Sequence, residues 1–311
     1  MISCTEFIPA YSELFTFLED KYGKEEITRF WTFLFEPTGD KIPLINFLRK
    51  EGIRGCYSYW TGTLSEEASD TTIYLNEKAG WFMNIMHNCP SKGRLLKFKD
   101  ELGITPYHNY CQHCDCYRSH VELAGLKYIY NFIGEDKATC RLFVYDPKVF
   151  NGQIIVDENT EIMDIRAAEK EYFHPDFHSS MNNGIDYLGE NFGEEEVVAY
   201  LRDFVKHVYH PVTAAIKESG LAAIEKKILD TYAAEKCPDA VKTVLTDDAL
   251  TVEIAYCPAV KHLLSTGREV SKWFPYTSSV VMEELAAAGG YTFCQESYDE
   301  ATGAAVYRFS K

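Results

Sequence analysis

The segment YHNYCQHCDCYRSH, residues 107–120, carries three cysteines and three histidines in fourteen positions. Cys111, Cys114 and Cys116 are interleaved with His113 and Asp115, and His108 and His120 flank them. Thiols, imidazoles and a carboxylate this close together suit two kinds of chemistry. A thiol beside an imidazole can lose its proton and act as a nucleophile, with the carboxylate orienting or capping. Thiolate and imidazole are also the ligands zinc prefers, and C-x-x-C (Cys111, Cys114) is half of a common zinc set. No second C-x-x-C occurs in the chain, and the surroundings do not read as the βαβ unit that holds a redox pair. A third reading is packing alone, because free cysteine is among the most buried residue types.

Two smaller groups stand apart from that cluster. Cys89 precedes Pro90 at the end of a strand pattern, a helix N-terminus where the macrodipole favours thiolate. His87, two positions earlier, falls on the same strand face. In FHPDFH (173–178), His174 and His178 are spaced i,i+4 and project from one face if the segment is helical. The Glu of H-E-x-x-H is missing, which excludes zincin chemistry. His262, about one turn beyond Cys257, is either near that thiol or on the surface.

The elements that must hold these residues come in duplicate. LEDKYGKEEITRFW (18–31) resembles LGENFGEEEVVAYL (188–201), and IPLINFLRKEGI (42–53) resembles HPVTAAIKESGL (210–221). The segments 82–96 and 252–264 align on Cys89-Pro90 and Cys257-Pro258, and 124–145 resembles 288–309. The four matches keep their order at offsets of 164 to 170 residues, the mark of an internal repeat. The chain therefore reads as α+β, two tandem copies of an α-α-β-α-α-β-β module: 1–150, a linker over 151–172, and 173–311. In each copy a glycine-interrupted amphipathic helix leads to a helix that starts near Pro and ends at Gly. A strand then runs into Cys-Pro, which opens a third helix; a fourth (112–124 or 276–288) precedes a hairpin. Cys-Pro occurs in both copies and belongs to the module. The 111–116 cluster and the His174/His178 pair occur once, where a duplicated protein can specialise.

Composition limits the partners. The chain has 311 residues, 46% hydrophobic and 14% aromatic, enough for a substantial core. A formal charge of −16 repels phosphate backbones and anionic lipid, so the expected partner is a small molecule rather than nucleic acid or membrane. No glycine-rich phosphate loop is present. No stretch reaches the roughly 18 apolar residues of a membrane span, and the opening residues lack a basic stretch followed by an apolar run. The expectation is a cytoplasmic protein with reduced thiols. The acidic run 194–196 reads as a solvated helix face, and Tyr187, Phe192 and Tyr200 as core.

Cys-Pro after a strand, then YCQHCD, then a hairpin closing in GEDKATCRLFVY resembles the bacterial L-2-amino-thiazoline-4-carboxylate hydrolase family. The resemblance covers mainly the first copy and, more loosely, CPAVKHLLSTGREVSKWF in the second. The pattern is also similar to the 4-vinyl reductase small-ligand domain. The first resemblance implies hydrolysis of a cyclic C–N bond in a small heterocycle, by a nucleophilic thiol or activated water. It puts Cys111, Cys114, Asp115 and Cys140 at motif positions; the second copy lacks these cysteines. The resulting expectation is a hydrolase-like enzyme with Cys114 as nucleophile or ligand, His113 as proton partner and Asp115 as orienting carboxylate. Cys89, His87, Cys111 and Tyr110 would contact the substrate. Zinc is the cofactor the ligand types allow, with His174 and His178 approaching the cysteine cluster. The alternative is a non-catalytic sensor of a small ligand or metal. Adjacent residues on an α-helix do not face each other, so Cys114 and His113 can cooperate only if the cluster sits in a turn.

Overall fold

Glycine and proline mark many of the element boundaries in the computed structural model, which describes residues 1–36 and 42–311. The fold is α+β: among the described residues there are eleven α-helices and two antiparallel sheets. The chain divides into two compact units, residues 22–174 and residues 1–21 with 175–311. The first helix, α1 (Phe7–Tyr22), stops at Gly23, whose φ of 87° few side chains tolerate.

In the 22–174 unit, α2 (Lys24–Leu34) is followed by α3 (Ile42–Glu66), a helix broken at Gly52. A hairpin follows, β1 (Asp70–Asn76) and β2 (Trp81–Asn88), and then α4 (Pro90–Leu102), with Cys89 as its N-cap. A 3-10 turn (Tyr110–Cys116) leads into α5 (Tyr117–Leu123), and β3 (Lys127–Gly134) and β4 (Thr139–Tyr145) form the second hairpin. The last strand, β5 (Glu161–Ile165), pairs with β1, giving the order β3-β4-β2-β1-β5. Strand alternation sends Phe82, Tyr128, Leu142 and Val144 to one face, where they pack with Leu48, Cys56, Trp60 and Val121. Each such side chain taken from water stabilises by about 1.5–3 kcal/mol. Trp81, Met83 and Phe143 face the other way and pack with Tyr145 and Phe150.

The other unit contains α1, α6 (Phe177–Phe192), α7 (Glu194–Val208), α8 (His210–Ser219) and α9 (Leu221–Ala234). β6 (Val241–Leu245) and β7 (Ala249–Ile254) precede α10 (Pro258–Ser265), which Cys257 caps. α11 (Tyr276–Ala288) leads into β8 (Thr292–Tyr298) and β9 (Ala305–Ser310), and the sheet order is β6-β7-β9-β8. Phe7 of α1 stacks on Phe177 of α6 at 4.5 Å, and the Tyr200 hydroxyl donates to the Ala10 carbonyl at 2.8 Å.

Three features differ from the sequence reading. Two strands, not one, precede each Cys-Pro, because the Glu77–Gly80 turn makes a hairpin out of a segment that reads as a single strand. Gly52 and Gly220 do interrupt their helices as expected, but a further stretch of helix that the sequence reading lacked follows each directly. Residues 151–172 are not only a linker: Glu161–Ile165 adds a strand to the sheet, and α1 groups with 175–311 rather than with the residues that follow it. Among the described residues no helix is long and apolar enough to cross a membrane.

Candidate functional site

Three thiols of the 22–174 unit come together at the end of the sheet where α4 begins. Pro90 stops β2 and opens α4, so Cys89 turns inward as the N-cap and its sulfur accepts from the Lys92 N–H at 3.4 Å. The Cys89 N–H donates to the Ala138 carbonyl at 2.8 Å, which ties the β3–β4 turn to the helix start. Cys140 opens β4 opposite Met86 of β2. Tyr130 of β3 aims its hydroxyl at the Cys140 sulfur, 3.2 Å away, and also hydrogen-bonds the Cys114 thiol.

Cys114 lies on the 3-10 turn, with its carbonyl accepting from the Tyr128 hydroxyl at 2.8 Å. The turn meets the condition set by the sequence: His113 Nε2 stands 3.8 Å from the Cys114 sulfur, although the two residues are adjacent. His113 Nδ1 bonds the Tyr110 carbonyl, which can only accept, so Nδ1 holds the proton and Nε2 faces the thiol as a lone pair. Burial lowers the His113 pKa and keeps the ring neutral. Burial likewise pushes the Cys89, Cys114 and Cys140 thiols up to about 12. At rest the pair is a neutral thiol and a neutral imidazole. Cys114 is half-buried and has polar partners, so it is not sealed in an apolar core.

Glu67, just after α3, completes the group. Burial pushes its carboxyl up to about 7, against the pull of His174, His113 and Arg94. A carboxyl with that pKa is part protonated at neutral pH and can give or take a proton. Arg94 of α4 lies 3.3 Å over the Tyr172 ring, and its buried Nε has no hydrogen-bond partner among the described residues. The Tyr59 and Tyr117 hydroxyls are 3.4 Å apart, and Tyr59, burial and Glu67 together raise the Tyr117 pKa.

No family model, no curated protein and no solved structure matches this chain.

The structure brings together Cys89, His113 and Cys114 of the residues singled out above, and Cys140 with them. Tyr110 is buried and supplies its carbonyl and an edge contact to His113, which it positions. Cys111 is half-buried on the same turn. The Asp115 carboxylate pairs with Arg118 at 2.6 Å, and of the two carboxylates that act on Cys114 the larger effect is that of Glu67. His87 is exposed and bonds Thr72, because the strand ends at Asn88 and the two-residue alternation does not extend to Cys89. His174 precedes Pro175, which disfavours helix at the residue before it, and α6 begins only at Phe177. The two histidines therefore do not share a helix face: His174 pairs with Glu66 and His178 with Glu235.

Among the described residues no set of ligand atoms within 4.8 Å joins His174 to the cysteine cluster. Among the described residues one group of three has its ligand atoms within 4.8 Å of one another, and it is Cys4, His178 and Glu235. A recess of about 390 Å³ in the 1–21/175–311 unit, lined by Lys242, Glu253, Tyr298 and Asp299 among others, contains neither thiol nor imidazole.

Sequence reasoning missed Glu67, Tyr130 and Arg94. A signal for Glu67 existed: Glu235 stands at the same place after α9, 168 positions on, and each glutamate precedes a non-glycine residue of positive φ, Ala68 at 51° and Lys236 at 58°.

Proposed function

We propose that residues 22–174 carry the active site of a thiol-dependent hydrolase acting on a C–N bond of a small polar heterocycle or amide. The observation that carries this reading is His113 Nε2 turned toward the Cys114 thiol, its Nδ1 committed to the Tyr110 carbonyl. Glu67 supplies the complementary acid. In the first step the Cys114 sulfur bonds to the electrophilic carbon while its proton passes to His113 Nε2. The C–N bond then breaks, and the departing nitrogen takes a proton from Glu67. Water next attacks the thioester-like intermediate, giving one proton to Glu67 while the Cys114 sulfur regains the proton held on His113. The cycle consumes one water and restores both groups. Tyr130 steadies the sulfur, and Arg94, stacked on Tyr172, offers a cation to an anionic substrate group.

The test is turnover of L-2-amino-thiazoline-4-carboxylate and a panel of cyclic amidines and small amides, with ring opening followed by NMR. The reading expects turnover by the wild type and its loss in Cys114→Ala. Turnover by Cys114→Ala at the wild-type rate, or no turnover of any panel member, counts against it. A second reading, a sensor that binds a small ligand without converting it, draws support from the protonated state of all three thiols. Binding without product selects that reading.

We further infer that the units are two copies of one module. The strand orders β3-β4-β2-β1 and β8-β9-β7-β6 correspond, and Cys89 and Cys257 both cap a helix that opens with proline. Their N–H groups bond the matching turns, Cys89 to the Ala138 carbonyl at 2.8 Å and Cys257 to that of Thr302 at 2.9 Å. Only the first copy has the thiol at 114; the second has Ser278 there, which fits a single active site.

A further inference from the structure

A second group of reactive side chains lies in the unit formed by residues 1–21 and 175–311, and the hydrolase chemistry does not use it. Cys4 opens a 3-10 turn (Cys4–Glu6) capped by Ser3, His178 lies in the first turn of α6, and Glu235 is the C-cap of α9. One sulfur, one ring nitrogen and one carboxylate oxygen from these residues fall within 4.8 Å of one another. The residues are only 1%, 2% and 6% exposed. We propose that Cys4, His178 and Glu235 form a binding site for zinc or a similar divalent transition metal.

Thiolate, imidazole and carboxylate are the three donor types zinc takes from proteins. With bonds of about 2.0–2.3 Å, tetrahedral ligand atoms sit roughly 3.4–3.7 Å apart. His178 Nε2 is 3.0 Å from Glu235 Oε2, a few tenths of an ångström inside that spacing, so this pair takes an ion with only a small side-chain shift. The carboxylate is already oriented: the Ser3 hydroxyl and the Cys4 N–H donate to Glu235 Oε1 at 2.7 and 2.6 Å, leaving Oε2 toward the imidazole. Such outer hydrogen bonds fix a ligand's direction before the metal arrives.

Charge favours the same reading. Thiolate, carboxylate and neutral imidazole carry two negative charges, which a divalent ion neutralises, so the buried site is neutral overall. Binding releases the Cys4 proton and any proton shared by His178 and Glu235 to solvent, and no redox change is needed. Three protein ligands leave one tetrahedral position for water. The ion would fasten the first residues of the chain to α6 and α9.

The experiment uses the full chain, stripped with chelator and then titrated with Zn²⁺ or Co²⁺. The proposal expects one equivalent of Zn²⁺, a rise in thermal midpoint on binding, and a sulfur-to-cobalt charge-transfer band in the Co²⁺ form. Cys4→Ser should abolish that band and weaken Zn²⁺ binding at least tenfold, as should His178→Gln. Cys114→Ser, in the other unit, should leave both signals intact. Absence of stoichiometric Zn²⁺ in the wild type overturns the proposal, and so does a band that survives Cys4→Ser or disappears in Cys114→Ser. If His178→Gln does not fold, the near-isosteric Cys4→Ser carries the test.

Discussion

Gly52 and Gly220, 168 residues apart, hold the same backbone conformation, φ 59° with ψ −137° and φ 62° with ψ −137°. That region is almost closed to residues with a Cβ, at a cost of about 1–3 kcal/mol. The surroundings of the two differ: a Cβ on Gly52 meets nothing within 4 Å, whereas one on Gly220 comes within 2.4 Å of the Tyr291 hydroxyl. Gly52→Ala should therefore lower stability by the backbone cost alone, about 1–3 kcal/mol, and Gly220→Ala by more. Denaturant unfolding of the two variants checks the order. Equal losses would show that Tyr291 moves aside freely.

Element boundaries at glycine and Cys-Pro were readable because their constraints are local: a positive φ or a helix-opening proline acts within a few residues. The 111–116 cluster was readable for the same reason, since thiols and imidazoles this dense are visible without a fold. The position of Glu67 was not. In the sequence it is one of 47 acidic residues, and its match to Glu235 does not reveal that it is buried where it acts on Cys114. His87 was assigned by strand parity, which fails where the chain leaves the strand at Asn88. Asp115 was assigned by adjacency, yet on a 3-10 turn its neighbour three positions on, Arg118, is the closer partner. The grouping of α1 with residues 175–311 depends on contacts such as Phe7 with Phe177, which no local pattern reveals.

Glu67 should leave a pH signature in stability. Its folded pKa, about 7, lies above the ordinary value of 4.5, so the folded state holds the proton more tightly. The resulting stabilisation is complete below about 4.5 and is lost as pH rises through about 7. Wild-type stability should fall between pH 5 and 8, while Glu67→Gln, which cannot ionise, should flatten that slope and be the more stable protein at pH 8. Parallel curves for the two proteins would show that Glu67 titrates normally.

The thiols should be slow toward alkylation in the native state. Each pKa unit costs tenfold in thiolate, and burial holds Cys89, Cys114 and Cys140 at about 12. Iodoacetamide at pH 8 should modify the exposed Cys294 at least about tenfold faster than any of the three. Mass spectrometry of peptides over a time course gives the order. Rapid labelling of Cys114 would mean a resting thiolate, and the neutral-pair account of its activation would fail.

Replacement of His113 separates catalysis from packing. The ring takes the Cys114 proton through Nε2 and fixes its own tautomer through the Tyr110 carbonyl. Loss of that Nδ1 bond costs about 1 kcal/mol of stability. Loss of the base costs about 10²–10⁴-fold in kcat. His113→Gln keeps a donor able to reach the Tyr110 carbonyl but has no basic nitrogen, so it should fold near wild-type stability with kcat down by about that factor. KM should stay within a few-fold, because the imidazole acts on the thiol and not on the bound substrate. The signature to seek on the panel substrate is therefore a kcat defect without a matching KM defect, together with an unchanged unfolding midpoint. A variant with wild-type kcat would remove His113 from the proton path and pass its role to Glu67.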